Sequence, residues 1–226
     1  MVSIFADGAD LAAIRKLALD PRVDGMTTNP SLMKKAGIQD YRSFARAVLE
    51  AANGKPVSFE VLADDLDGME RQAREIASWG NVYVKVPITN AAGLFTGPVI
   101  AALSDDGIRV NVTAVLSYSQ AQRAWGCLER PGNIVSIFAG RIADTGTDPV
   151  PLVRSFTEIA RRNGTRVLWA STRQVYDVVL AEQAGADIIT LTPDLIAKLS
   201  LRGKDLEQYS LETVQQFQRD AEGITL

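Results

Sequence analysis

Eight short apolar runs, many with β-branched residues, start 21 to 34 residues apart along the chain. They are VSIFAD (2–7), VDGMTTN (23–29), VSFEVL (57–62), VYVKVPI (82–88), RVNVTAV (109–115), IVSIFAG (134–140), RVLWAS (166–171) and DIITLT (187–192). Helix-like stretches lie between them. DYRSFARAVLEAA carries Phe44, Ala45, Val48 and Leu49 at helical spacing, LDGMERQAREIASWG is a second, and PVPLVRSFTEIARRNG ends on a glycine stop. Such spacing suits βα units, whose strands are parallel and covered on both faces. Eight units over residues 1–200 predict an α/β fold, a (β/α)8 TIM barrel. The competing arrangement is an open doubly wound sheet, which usually carries a Gly-rich phosphate loop after its first strand. ADGAD is not such a loop, and neither GxGxxG nor GxxxxGK[ST] occurs. VSIFA appears at 2–6 and again at 135–139, as a half-barrel echo or by chance.

Residues 201–226 carry one more amphipathic helix, with Leu211, Val214, Phe217 and Ala221 along a stripe. It is surplus to a barrel, and either packs on the outside or reaches a neighbouring subunit.

The chain's totals remove several functions. A net charge of −3 without a long basic run argues against nucleic acid or anionic membrane as partner. MVSIFADGAD has no basic n-region, so no signal peptide is expected, and no apolar window approaches membrane-spanning length. A cytoplasmic location is the resulting expectation. Cys127 is the sole cysteine, which leaves no intrachain disulfide and no cysteine metal cage, and it reads as a small buried or half-buried hydrophobe. The chain has no histidine. That removes Ser-His-Asp and Cys-His catalysis and most catalytic zinc sites. Acid–base work falls to carboxylates, lysine, tyrosine, hydroxyls or water.

One residue interrupts the strand pattern. Lys85 sits inside NVYVKVPIT, between Val84 and Val86. A buried ammonium finds a partner or loses its proton. Barrel chemistry sits at the C-terminal strand ends, so the polar residues there are the ones to read. They are Asp7 on strand one, Asn29 on strand two, Glu60 on strand three, and Asn111 with Thr113 on strand five. Strand six adds Ser136 and Phe138, followed by Arg141, and strand seven adds Ser171, followed by Arg173. Each has an ordinary reading when taken alone. Asp7 can cap a helix, Asn29 can begin a turn and Glu60 can point outward. The hydroxyls and Phe138 can fill core, and the arginines can be surface charges. Together, six strands aim polar groups into one mouth around one lysine, as a preorganised site requires.

A desolvated amine can attack a ketone and form a Schiff base, whose protonated imine acts as an electron sink for carbon–carbon cleavage. This route needs neither metal nor histidine. It needs a carboxylate to move the hydroxyl proton, for which Asp7 and Glu60 are candidates. Two arginines with a serine suit a phosphate.

These segments resemble the transaldolase family, in the short single-barrel branch that includes fructose-6-phosphate aldolases. GMTTNPSLMKKAG resembles its VTTNPS motif and VYVKVPIT its Schiff-base strand. RVNVTAV resembles NVTLIF, IVSIFAGRIAD resembles SPFxGRxDD and WASTR resembles AASxR. The resemblance runs over roughly 2–200. It implies Lys85 as the Schiff-base lysine and Asp7 as the acid/base for cleavage. It implies Glu60 and Thr113 as holders of a catalytic water, and Asn29, Asn111 and Ser136 as contacts for the dihydroxyacetone part. Arg141, Ser171 and Arg173 become the phosphate grip, and Phe138 lines the site. No cofactor and no metal are implied. The partners implied are sugar phosphates and other copies of the chain, in pentamers or decamers. The aldolase members typically carry Gln for Glu60, Tyr for Phe138 and no Asn at 111, so the resemblance favours transfer of the three-carbon unit over its release. Four positions depart from the family pattern: Gly8 replaces Thr, Ile137 replaces Pro, Ala143 replaces an acid, and Trp169 replaces a small residue. A Trp169 side chain turned inward would reshape the acceptor pocket and alter the sugar accepted.

Overall fold

The structure, a computed structural model, describes residues 1–225. Eight strands form the barrel: β1 (Ser3–Asp7), β2 (Val23–Thr27), β3 (Val57–Glu60), β4 (Val82–Pro87), β5 (Val110–Val115), β6 (Ile134–Ile137), β7 (Arg166–Trp169) and β8 (Ile188–Leu191). Each pairs in parallel with the next, and β8 closes on β1. The barrel is the one expected from the spacing of the apolar runs. An open sheet is excluded by the β1–β8 ladder, where Ser3 pairs with Ile188 and Phe5 with Thr190.

Strand parity separates two apolar layers. Phe5, Tyr83, Ile134, Leu168 and Ile188 point inward and fill the barrel. Val57, Phe59, Val82, Val84, Val86, Val110 and Val112 point outward, into the main core shared with the helices. Burial on both faces is why the runs read as continuous apolar stretches with little alternation. Gly25 fits this packing, because a Cβ there would lie 2.6 Å from the inward Phe5 ring.

Seven helices of eight residues or more flank the strands: α1 (Leu11–Ala18), α3 (Tyr41–Ala51), α4 (Leu66–Ala77), α5 (Gly97–Asp105), α6 (Tyr118–Trp125), α8 (Val150–Ala160) and α9 (Tyr176–Ala184). Asp10, Asp40, Asp65 and Ser117 cap α1, α3, α4 and α6 by accepting backbone N–H bonds. Three short helices follow strand ends directly: α2 (Pro30–Lys35) after β2, α7 (Ala139–Asp144) after β6 and α10 (Pro193–Lys198) after β8. α2 and α7 carry side chains over the C-terminal mouth.

The last helix, α11 (Leu206–Asp220), has no buried residue. Leu206, Val214 and Phe217 are 59–79 % exposed. The chain therefore leaves the apolar stripe of its tail uncovered. Leu226 lies outside the described residues. Among the described residues, no helix is long and apolar enough to cross a membrane.

Candidate active site

Ladder register places the key polar groups at one level. Glu60 pairs with Lys85 across β3 and β4, and Lys85 pairs with Asn111 across β4 and β5. Paired residues on neighbouring parallel strands share a face, so all three point into the barrel. Asp7 pairs with Thr27 on β2 in the same way. The result is a cavity of about 480 Å³ at the C-terminal mouth. Asp7, Asn29, Glu60, Lys85, Asn111 and Thr113 line its floor and one wall. Ser136, Phe138, Arg141, Ser171 and Arg173 line it as well. All eleven residues read from the sequence as candidate catalytic or substrate-binding groups thus line one cavity.

Lys85 is 6 % exposed. Its ammonium lies 2.9 Å from Glu60 Oε2 and donates to the Thr28 carbonyl at 2.8 Å. The charge that looked misplaced has two partners, as burial demands. Glu60 does not point outward. Its backbone carbonyl accepts a bond from the Tyr41 hydroxyl, which anchors the end of β3.

Asp7 is not a helix cap, since Asp10 takes that role for α1. Its Oδ1 accepts from the Thr27 hydroxyl at 2.8 Å, and that hydroxyl lies 2.7 Å from the Thr190 hydroxyl. Burial pushes the Asp7 carboxyl above its ordinary value and outweighs the nearby Lys85 charge and the Thr27 bond, while Glu60 adds a further upward push.

Asn111 is held from two sides. Its Oδ1 accepts from Ser136 Oγ at 2.7 Å, and its Nδ2 donates to Ser58 Oγ at 3.3 Å. Thr113 Oγ1 is buried and has no hydrogen-bond partner among the described residues. Beside it, Ala114 has a φ of 60°, and the β5–β6 register shifts between Val112 and Val115. This bulge bends the end of β5 at the cavity wall. Asn29 takes its turn role and a wall position together: its Oδ1 caps α2 by accepting from Leu32 N–H at 3.0 Å.

The rim is cationic. Arg141, on α7, has its guanidinium carbon 5.3 Å from the Phe138 ring centroid and no ion-pair partner among the described residues. Arg173 forks onto Asp144, with Nε–Oδ1 at 3.2 Å and Nη2–Oδ2 at 2.6 Å. Its backbone N–H donates to Asp177 at 2.6 Å. Ser171 joins them from the loop after β7 with a left-handed φ of 64°.

Trp169 does not enter the cavity. It is 1 % exposed and packs in the outer core with Val167, while Leu168 and Ala170 take the inward parity. A tryptophan there fills space between strand and helices, so its effect on the acceptor pocket is removed.

Thr27, Thr28, Ser58, Thr190 and Asp144 escaped the sequence reading. Period-2 parity would have found Ser58, two before Glu60, and Thr27, two before Asn29. The Thr28 contact uses a backbone carbonyl, which no residue type signals.

A closed parallel barrel thus holds one buried lysine between a carboxylate and an amide, with two arginines at its rim. The model of the family described as Transaldolase/Fructose-6-phosphate aldolase matches residues 4–225, and the chain belongs to that family. A relative from Roseiflexus castenholzii (strain DSM 13941 / HLO8), named "Probable transaldolase", is 40 % identical over 205 residues, covering 89 % of this chain and 90 % of that protein. One from Methanococcus maripaludis (strain C5 / ATCC BAA-1333), with the same name, is 36 % identical over 88 % of this chain and 89 % of that protein. The fold alone is shared with KGPDC from Streptococcus mutans, at a TM-score of 0.57 and 15 % identity over 85 % of this chain and 88 % of that one.

Proposed function

We propose that this protein is a transaldolase, which moves a dihydroxyacetone unit from a ketose phosphate to an aldose phosphate through a Schiff base on Lys85. The single observation that carries the reading is the Lys85 side chain, buried in the mouth within 2.9 Å of Glu60. The raised Asp7 carboxyl lines the same cavity.

In this reading the Lys85 amine, after giving up a proton, attacks the ketone carbon, and water leaves to give the imine. Glu60 and the Thr113 hydroxyl, which line the same cavity, hold the water that takes and returns the protons of that exchange. Asp7, as carboxylate, then takes the proton of the hydroxyl next to the breaking bond. That bond's electron pair moves into the iminium, leaving an enamine on Lys85 and releasing an aldehyde. The acceptor aldehyde reverses the steps, with Asp7 returning the proton to the new hydroxyl. Asn111, fixed by Ser136 and Ser58, holds the hydroxyls of the three-carbon unit. Arg141, Ser171 and Arg173 hold the phosphate at the rim.

Transfer competes with release, the fructose-6-phosphate aldolase reaction that the family description also includes. Release needs a proton on the enamine carbon. Phe138 at the cavity wall has no hydroxyl to relay one, which favours transfer.

The uncovered stripe on α11 is assigned to a second copy of the chain. A 15-residue helix with no buried residue is marginal by itself in water, so a covered face is what makes it persist.

Incubation with fructose 6-phosphate and borohydride should leave a reduced three-carbon adduct on Lys85, located by peptide mass. An unmodified Lys85, together with turnover surviving in Lys85→Met, overturns the reading.

A further inference from the structure

The two rim arginines are held differently. Arg141 stands over the Phe138 ring with no ion-pair partner among the described residues. Arg173 is fixed along its whole length. Its backbone N–H and that of Gln174 donate to the Asp177 carboxylate at 2.6 and 3.2 Å, and Asp177 is 5 % exposed. One residue earlier, the Thr172 hydroxyl donates to the Thr190 carbonyl on β8 at 2.9 Å. The Arg173 stem then runs beside the first turn of α7, where a Cβ on Gly140 would meet its Cγ at 3.5 Å. One turn further along that helix, the guanidinium forks onto Asp144 through Nε and Nη2. Asp144 is the one acid on α7. Arg173 lines the catalytic cavity and Asp144 does not, so the carboxylate grips the guanidinium from outside the cavity. Nη1 is the nitrogen that this fork leaves free. Arg173 holds the Asp144 carboxyl below the usual carboxylate range and Arg141 adds to that, so the acid is ionised at neutral pH.

We propose that Asp144 is a positioning residue for phosphate recognition: it orders the Arg173 head at the rim before substrate arrives, so that a phosphorylated sugar meets two arginines already in place. The proposal rests on the reading of Arg141, Ser171 and Arg173 as the phosphate grip. Two effects of Asp144 on a phosphate oppose each other. Its negative charge repels the dianion, and its fork removes the rotamer freedom that a loose arginine would lose on binding. Asp144 keeps 53 % of its side chain exposed, so water and salt screen the repulsion. Ordering one long side chain changes affinity by about two- to tenfold. The ordering effect therefore wins.

Calorimetric titration of the full chain with inorganic phosphate, in the absence of sugar, reads the grip apart from any chemistry. Asp144→Ala should weaken phosphate binding by about two- to tenfold, the cost of ordering one long side chain. It should raise KM for fructose 6-phosphate by a similar factor and lower kcat less. An exposed ion pair adds little to stability, so the variant should melt close to wild type. Asp144→Asn keeps one acceptor oxygen and loses the charge, and should fall between Asp144→Ala and wild type. In the Arg173→Ala background Asp144→Ala should change nothing, because Asp144 acts through Arg173. Tighter or unchanged phosphate binding in Asp144→Ala overturns the proposal, as does an equal loss in the Arg173→Ala background. A wild type that binds no inorganic phosphate rejects the grip and the proposal with it. The Lys85 adduct separates this inference from the Schiff-base reading. Phosphate binding that falls as expected, with no adduct formed, rejects the Schiff base and keeps the role of Asp144. An adduct formed, with phosphate binding unmoved by Asp144→Ala, keeps the Schiff base and rejects Asp144.

Discussion

Gly140 touches Ser171 so closely that no side chain fits between them: a Cβ on Gly140 would lie 1.7 Å from the Ser171 carbonyl oxygen. The Gly140 N–H also donates to the Ala170 carbonyl at 3.3 Å. This contact seats the first turn of α7 on the loop after β7 and brings Arg141 beside Ser171 and Arg173. Gly140→Ala must push backbone away from backbone. It should destabilise the fold by about 1–3 kcal/mol, the usual range for overpacking. It should also raise KM for phosphorylated donors more than it lowers kcat. Thermal unfolding and steady-state kinetics with fructose 6-phosphate check both.

Asp7 gives a pH-dependent prediction whose sign follows from its upward shift. The folded chain binds this proton more tightly than the unfolded chain. Stability from the group is complete below the ordinary value of 3.8 and declines as pH rises through the higher folded value. Near neutral pH the buried carboxylate is therefore a burden on stability. Asp7→Asn should melt higher than wild type at pH 7, with the gap closing as pH falls toward 4, while transfer is lost. In a chain of this size each kcal/mol moves the midpoint by about 2–4 °C. A variant that melts lower than wild type at pH 7 contradicts the account of Asp7.

The fold was legible because burial on both faces leaves long apolar runs, and eight of them at βα spacing admit few arrangements. The inward polar residues were legible by their contrast with those runs, as with Lys85 between Val84 and Val86. What stayed hidden depends on three-dimensional detail that residue type does not encode. Thr28 contributes a main-chain carbonyl. Ala114 and Ser171 adopt left-handed φ values of 60° and 64° although neither is glycine. Trp169 took the outward parity, which the sequence alone left open.

The Lys85–Glu60 pair should behave as a coupled unit. Removing one member of a buried pair leaves the other charge without its partner, which costs about 3–5 kcal/mol. Glu60→Ala should fall in or just below that range, since Glu60 keeps 17 % of its side chain exposed. Lys85→Met in the Glu60→Ala background should recover much of the loss. A denaturant double-mutant cycle measures the coupling, and additive changes would show that the two groups are independent.

Phe138 controls the fate of the enamine in the proposed reaction. Its ring lines the cavity beneath Arg141 and offers the intermediate no hydroxyl. Phe138→Tyr adds a group able to relay a proton to the enamine carbon. The variant should release more free dihydroxyacetone from fructose 6-phosphate in the absence of an acceptor, and transfer to erythrose 4-phosphate should fall relative to release. A coupled assay for dihydroxyacetone reads the partition. An unchanged ratio would remove Phe138 from the choice between transfer and release.

The tail tests the proposed assembly. At 100° per residue, Leu206, Val214 and Phe217 fall on one face of α11, with Tyr209 and Leu211 at its flanks. These side chains are 43–79 % exposed in the single chain. Burying such a face against a second copy would remove apolar area from water, at about 25 cal/mol per Å². Carboxylates placed in that seam would have to be desolvated without a partner, which opposes association far more than the lost apolar area does. Val214→Glu with Phe217→Glu should therefore yield a smaller particle by sedimentation velocity. The barrel's circular dichroism should be preserved, because α11 buries no residue in its own chain. A wild type that sediments as a monomer, or a double variant with unchanged sedimentation, would remove α11 from the assembly.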